Sequence, residues 1–402
     1  MSFLISKAGH NITDIPEKAE VIILNTCTVR LETEKRMVDI IKRYLKFNKR
    51  LVVAGCLAGA EPGLVKKISP NISMVSPRAV EKIVEVVEND KPTYILLPHP
   101  REHLPNFMKG VSYFVPIAEG CRGVCSYCIV RIARGNLRSY PPQTIFKAVK
   151  KAVNSGAKEV YLTSQDSASY GLDLGARLPI LLRMICGIPS RFMIRVGMMN
   201  PNSALEILDE LVEVYREKKI YKFLHLPVQS GNDRILGLMR RKYTVKDFNY
   251  VVNKFRKAFS DISLMTDIIV GFPTESDDEF KDSCRLIKKL RPDKVNVARF
   301  TVRPHTPASA MPQVSEGIKK QRSRLLSKLV SKIGFENNSK FLGGVFECLV
   351  VDKGVKQGLE GRLINYKPVY FQGCEELIGK FVKVKIREAR SYVLKGDLAG
   401  SC

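Results

Sequence analysis

Between residues 111 and about 312 the chain alternates short apolar runs with amphipathic stretches, several times over. The runs YFVPIA, EVYLTS, FMIRVG, KFLHLP, SLMTDIIVG and KVNVARF are rich in β-branched and aromatic residues, as strands buried on both faces are. Between them PPQTIFKAVKKAVNSG, SALEILDELVEVYREK, VKDFNYVVNKFRKAF and SDDEFKDSCRLIKKL carry helical periodicity. Repeated βα units favour a parallel sheet, and six of them suit an open or partial barrel. In such a sheet ligands bind at the C-terminal strand ends, so the polar residues closing each run are the ones to weigh.

The flanks read differently. AEVIILN and RLVVAG are continuous apolar runs, TEKRMVDIIKRYLKFN is helical, and EPGLVKKI and SPRAVEKIVEVVEND are helices with a Pro near their starts. This predicts a small N-terminal α/β domain, followed by KPTYILLPHPREHLPN as a proline-rich linker. EGIKKQRSRLLSKLVSKIGFENNSKFLG reads as one basic helix. The Val-rich runs after it, VFECLVV, LEGRLINYKPVYF, GKFVKVKIREAR and SYVLKGDL, suggest a small β-barrel. The expected boundaries are 1–104, 105–335 and 336–402.

Lys and Arg number 66 against 40 Asp and Glu, a formal net charge of +26 over 402 residues. Such a surplus favours a polyanionic partner, because bound phosphates release counterions. No apolar stretch is long enough to span a membrane, and MSFLISKAGHNITDIPEK lacks the core of a signal peptide. A reducing cytoplasm is therefore expected, where clustered Cys more often means metal than disulfide.

CRGVCSYC holds Cys121, Cys125 and Cys128 in a C-x₃-C-x₂-C spacing, directly after the strand YFVPIA. Three thiolates can hold a [4Fe-4S] cluster by three irons and leave the fourth open. A zinc knuckle with its fourth ligand elsewhere is the alternative. The spacing, with Tyr127 before the last Cys, resembles the radical S-adenosylmethionine (SAM) superfamily. AEGCRGVCSYCIVRIARGNLRSYPP, EVYLTSQDSASYG, HLPVQSGNDRILGLMRRKYT, TDIIVGFPTES and RFTVRPHTPAS together resemble the methylthiotransferases of that superfamily, over nearly the whole chain. The resemblance implies an N-terminal domain, a partial (β/α)6 radical SAM barrel and a C-terminal RNA-binding barrel of the TRAM type. It also implies SAM as the ligand of the open iron.

Ser164, Gln165 and Asp166 follow EVYLT, where the resemblance puts the amino acid moiety of SAM; a helix-capping turn is the other reading. Arg195 in FMIRVG needs an anionic partner if buried, such as a SAM carboxylate or a substrate group. His225, Gln229 and Ser230 lie in HLPVQSG and Asp267 in SLMTD; all are candidates for the cofactor site, with Asp267 open to a ribose hydroxyl or to backbone. Arg134, Arg138, Arg240, Arg241 and Lys242 are candidates for an RNA-facing rim. Cys186, Cys284, Cys348, Cys374 and Cys402 show no ligand spacing.

Cys27 in NTCTVR and Cys56 in AGCL each follow a predicted strand. If those strands are neighbours, the two sulfurs share a C-terminal sheet edge, where α/β sheets bind ligands. The resemblance implies a second [4Fe-4S] cluster there, held by three cysteines. No Cys precedes Cys27, so one ligand is absent, and a start upstream of Met1 is expected. The expected function is methylthiolation of C2 of N6-threonylcarbamoyladenosine at position 37 of tRNA, by a monomer using an electron donor protein and a sulfur source. The alternatives are isopentenyladenosine, a ribosomal protein aspartate, or a non-catalytic RNA-binding relative without the second cluster. VRPHTPAS departs from the family at His305, where Gly is usual, and a changed substrate fit near the barrel mouth is expected.

Overall fold

The computed structural model describes residues 1–101, 103–354 and 358–400. Cys402 lies outside them. Their contacts divide the chain into one unit of residues 1–103, 120–136 and 301–310 and another of 104–119, 137–300 and 311–402.

The first unit is built on four parallel strands: β1 (Val21–Thr26), β2 (Arg50–Gly55), β3 (Ser73–Val75) and β4 (Tyr94–Ile95), in that spatial order. Val52 and Ala54 face one apolar layer and Leu51 and Val53 the other, which is why β2 reads as a continuous apolar run. Two strands went unread. β3 is only three residues long, and β4 lies inside the stretch read as linker, so KPTYILLPHPREHLPN begins as a sheet edge. SPRAVEKIVEVVEND opens as a 3₁₀ turn, Pro77–Lys82, before the helix Ile83–Glu88. The unit also holds the helix Ile129–Arg134, which follows the three-cysteine loop. Ile129 and Ala133 of that helix pack on Cys56 and Ala60.

The second unit holds six parallel strands in sequence order: β6 (Ser112–Pro116), β9 (Glu159–Thr163), β10 (Met193–Val196), β11 (Phe223–His225), β12 (Ser263–Val270) and β13 (Lys294–Arg299). A single bridge, Ile194 to Ile220, joins the two halves between β10 and β11. This is the expected six-unit partial barrel. β5 (Phe107–Lys109) pairs antiparallel with β6, and the short β7 (Ala118–Glu119) pairs with β8 (Arg138–Ser139). SALEILDELVEVYREK forms two short helices, Pro201–Leu205 and Leu208–Val214, in place of one.

Side-chain alternation sorts the strands' residues. Val160, Leu162, Ile194, Val196, Leu264 and Ile268 are buried against the helices. Tyr161, Thr163, Arg195, Met265, Asp267 and Asn296 alternate with them on the other face and stay partly accessible. The inner face is thus the polar one.

The basic helix is Glu316–Ser339, with Ser315 as its N-cap. β14 (Val345–Lys353), β15 (Leu359–Leu363), β16 (Pro368–Phe371), β17 (Phe381–Ala389) and β18 (Leu394–Leu398) then close a five-stranded barrel. LEGRLINYKPVYF supplies two strands, parted by a turn at Tyr366, whose φ is 66°.

Candidate functional site

The thiol loop belongs to the first unit. Its backbone is fixed by Cys121 N–H donating to Gly135 O at 3.1 Å and Cys128 N–H to Cys125 O at 3.2 Å. Arg131, which no motif had singled out, holds the loop from inside: its guanidinium donates to Cys121 O, to Gly123 O at 3.2 Å and to Asn136 Oδ1. Ala308 N–H donates to Ser126 O at 2.8 Å, tying PHTPAS to the thiol loop. Gly123 N–H donates to Cys121 Sγ at 3.2 Å. A Cβ added to Gly123 would lie 3.3 Å from Cys121 Sγ and 3.6 Å from Cys125 Sγ, so this glycine keeps the space between two thiols clear. Among the described residues no three metal-ligating side chains are already drawn together as around an ion. The cradle fits a cluster by its chemistry: half-buried thiols, an N–H aimed at sulfur, and a backbone stripped of a side chain at the centre.

β1 and β2 are parallel neighbours in register Thr26 to Gly55. Cys27 and Cys56 therefore follow paired positions at one sheet edge. Gly55 has φ 96°, and a Cβ there would meet Thr26 O at 2.6 Å, so the turn that delivers Cys56 requires glycine. Thr28, Glu34 and Arg303 form a buried cluster one residue beyond Cys27: Arg303 Nη2 donates to Thr28 Oγ1 at 2.8 Å and to Glu34. Sequence reasoning missed it, because Arg303 lies 275 residues from Thr28 and 269 from Glu34 along the chain.

His305 has φ 61°, left-handed backbone that Gly adopts freely and His tolerates. Its Nε2 stands 3.5 Å from Glu61 Oε1. Burial holds the Glu61 carboxyl above its ordinary pKa, opposed by His305. His305 and Glu61 both belong to the first unit.

The second unit carries the remaining candidates. Asp267 and Asn296 are register partners on β12 and β13, and Asn296 Nδ2 donates to Asp267 Oδ1 at 2.7 Å. His225 Nε2 lies 3.3 Å from both Asp267 oxygens. Gln229 has φ 71°, with its N–H on Asp267 O at 2.8 Å and its carbonyl accepting from Ile269 N–H at 2.9 Å. Three of the predicted residues thus meet, and Asn296 joins them; the alternation in KVNVARF was the signal for it. Ser230 is fully buried behind them.

Arg195 sits among aromatic rings, its guanidinium carbon 5.3 Å from the Phe223 centroid, 5.7 Å from Tyr366 and 5.8 Å from Tyr161. Its Nε is buried without an acceptor. Asp166 builds a turn: it accepts from Ser169 Oγ at 2.5 Å, Ser203 Oγ at 2.7 Å and Asn200 N–H at 2.9 Å. Asp166 stands at the N-cap of the 3₁₀ turn Ser167–Ser169 but makes no side-chain cap bond to it. Ser164 Oγ lies 3.0 Å from Ser167 Oγ, and Gln165 Oε1 is buried without a donor.

Of the basic candidates, Arg138, Arg240 and Lys242 are exposed and Arg134 is half-buried. Arg241 is committed to structure, donating to Tyr243 Oη at 3.0 Å and Asn200 Oδ1 at 3.1 Å. Cys186 is core and Cys284 packs against it, while Cys348 is buried in the small barrel with Cys374 against its core. Burial pushes the Cys186 and Cys348 thiols up to about 12, so neither is a thiolate at neutral pH. No helix among the described residues is long and apolar enough to cross a membrane.

Comparison with known proteins matches three segments of the chain. Residues 115–287 match the radical SAM superfamily, 1–76 match uncharacterized protein family UPF0004, and 340–399 match the TRAM domain. A probable threonylcarbamoyladenosine tRNA methylthiotransferase of Pyrococcus abyssi is 41% identical over 99% of this chain and 95% of that protein. The Methanocaldococcus jannaschii relative of the same name is 41% identical over 98% and 92%. The human threonylcarbamoyladenosine tRNA methylthiotransferase is 32% identical over 99% and 70%. Among solved structures, the radical SAM methyltransferase TsrM of Kitasatospora setae superposes with a TM-score of 0.56 at 14% identity, covering 77% of this chain and 66% of that one. That likeness is one of fold.

Proposed function

We propose, from the premise that this chain belongs to the threonylcarbamoyladenosine tRNA methylthiotransferase family, that it transfers a methylthio group to C2 of N6-threonylcarbamoyladenosine at position 37 of tRNA. The C-x₃-C-x₂-C loop, with Gly123 cleared between two thiols, is the observation that carries the reading. Cys121, Cys125 and Cys128 would hold a [4Fe-4S] cluster. When bound, that cluster supplies the electron that reduces the sulfonium of SAM.

The chain's own residues do the rest. Arg131 keeps the thiol loop in one conformation. Ser164, Gln165, Arg195, His225, Gln229 and Asp267 form the binding surface for SAM within the second unit, and Tyr127 is a cofactor-binding residue of the first. Asp267, held by Asn296 and His225, offers carboxylate oxygens to a hydroxyl of the ligand. Cys27 and Cys56 supply two ligands for a second cluster, which needs one more. A protein electron donor, a sulfur source and a monomeric enzyme complete the reading. Arg134, Arg138, Arg240 and Lys242 meet the tRNA backbone. We take domain boundaries of 1–104, 105–335 and 336–402, the last of which falls inside the helix Glu316–Ser339.

The test is nucleoside mass spectrometry of tRNA from cells with and without this gene. The expected result is loss of the 2-methylthio form of threonylcarbamoyladenosine, with the unmodified nucleoside rising to match. An unchanged 2-methylthio pool would sink the proposal.

A further inference from the structure

At the N-terminal ends of β10 and β11 a cavity of ≈ 670 Å³ opens between the six-stranded sheet and the C-terminal barrel. His225 and Asp267, in contrast, lie toward the C-terminal ends of their strands, so this cavity is a different site from the one described above. Its floor is apolar: Phe192 and Met193 from the sheet side, Leu349, Ile364 and Phe381 from the barrel side. Its walls carry Arg191, Arg216, Lys218, Lys219, Lys222 and Arg362, against one carboxylate, Glu347.

The walls are braced. Lys222 N–H donates to Ile364 O at 2.8 Å, and Arg191 pairs with Glu347 at 2.6 Å while stacking 3.9 Å from the Phe381 centroid. The cations are not used up by these bonds. Lys219 Nζ donates to Cys186 O at 2.8 Å and to Ile188 O. Lys222 Nζ donates to Glu217 O at 2.8 Å and Ile220 O at 2.9 Å. Each ammonium has three donors, so each keeps one. Arg216 pairs only with Glu213 on the exposed rim, and Lys218 has no acidic partner among the described residues. Burial lowers the Lys222 ammonium to a pKa of about 8, a cost that a bound anion would relieve.

Arg191, Arg216 and Arg362 pair with Glu347, Glu213 and Glu360, while Lys218, Lys219 and Lys222 have no ion-pair partner among the described residues, so the surplus still calls for a polyanion. A free phosphate would use two or three converging groups. Here exposed Arg191, Arg216 and Lys218 line the rim, with Lys219, Lys222 and Arg362 further in. That spread suits successive phosphodiesters, and the net charge of +26 draws the same class of partner. We infer that this cavity binds the phosphodiester backbone of the RNA substrate at nucleotides other than the modified one. The inference rests on tRNA as the substrate.

The test is fluorescence anisotropy of labelled tRNA transcript with the full chain, over a range of salt. Arg216→Glu/Lys218→Glu is compared with Lys320→Glu/Lys328→Glu, which makes the same charge change on the helix Glu316–Ser339. Thermal melting of each variant checks folding. The cavity pair is expected to weaken binding at least tenfold, and to lower the slope of log K against log salt by about 1 to 2, at roughly 0.9 per phosphate contact. The helix pair should do markedly less. Equal effects of the two pairs, or an unchanged slope in the cavity pair, overturn the inference. A wild-type chain that binds no tRNA overturns it too. If the cavity pair loses the slope but the wild type leaves the 2-methylthio pool unchanged, the cavity stands and the proposed activity falls.

Discussion

The hydroxyl of Tyr366 donates to the hydroxyl of Tyr161 at 2.8 Å, so a turn of the C-terminal barrel is bonded to the middle of the parallel sheet. Tyr366 also packs on Phe223 at 4.7 Å and Tyr221 at 5.1 Å between ring centroids, and its ring lies beside Arg195. Below this layer Glu159, fully buried, accepts from Tyr221 Oη and Ser112 Oγ, both at 2.8 Å. The barrel and the sheet are joined through the residues that surround a candidate cofactor-site arginine.

Tyr366→Ala should therefore do more than loosen the small barrel. Losing an aromatic packed in this way costs about 3–5 kcal/mol. Tyr366→Phe removes only the hydroxyl bond, about 1 kcal/mol. Calorimetry should show the Ala variant melting in two steps, the barrel apart from the sheet, and the Phe variant in one.

The six-stranded sheet was legible because each strand is an apolar run with helices on its outer side, and the period changes cleanly between them. β3 and β4 were not, since three and two residues carry no period. At the site, Cys121, Cys125 and Cys128 announce themselves by local spacing. Arg131 and Asn296 act through side-chain geometry, and only alternation hinted at Asn296. The cluster of Thr28, Glu34 and Arg303 was invisible: no local pattern marks a guanidinium whose partner lies 269 residues away.

Cys121→Ser should remove the thiol that accepts from Gly123 N–H, and with it the barrel cluster. The expected loss is about four irons per chain. Formation of 5′-deoxyadenosine from SAM and dithionite should fall to background. Iron assay and chromatography of the nucleoside read the two separately; a variant keeping both would remove Cys121 from the ligand set.

Glu34→Ala should be among the costlier single changes in the first unit. Arg303 is 2% exposed, and two of its nitrogens already lack an acceptor. Taking away its carboxylate partner leaves a buried charge without compensation, worth about 3–5 kcal/mol. A urea titration should show the loss, and Glu34→Leu combined with Arg303→Met should recover part of it.

His305→Gly should be neutral to stabilising, by about 0.5–1 kcal/mol. At a φ of 61° His is tolerated at a small cost, and glycine removes that cost. The ion pair lost with Glu61 counts for little, since His305 is 67% exposed. His305→Val should cost more than the wild type gains from its pair, because a β-branched residue resists that backbone. Thermal melting of the three proteins orders them Gly, His, Val.

RNA binding should weaken above pH 8, and Lys222 should be the cause. The free protein holds this ammonium at about 8, because burial disfavours its charge. A phosphate nearby favours the charged form, so the pKa in the complex must be higher than in the free chain. By linkage, the contribution of Lys222 to binding is fully present below about pH 8 and is lost as pH rises through the higher value in the complex. Between about pH 8 and 10 the affinity of the wild type for tRNA should drop with pH. Lys222→Arg keeps its charge throughout that window, so its affinity should stay flat. Anisotropy at constant ionic strength measures both curves, and parallel curves for the two proteins would place the titrating group elsewhere.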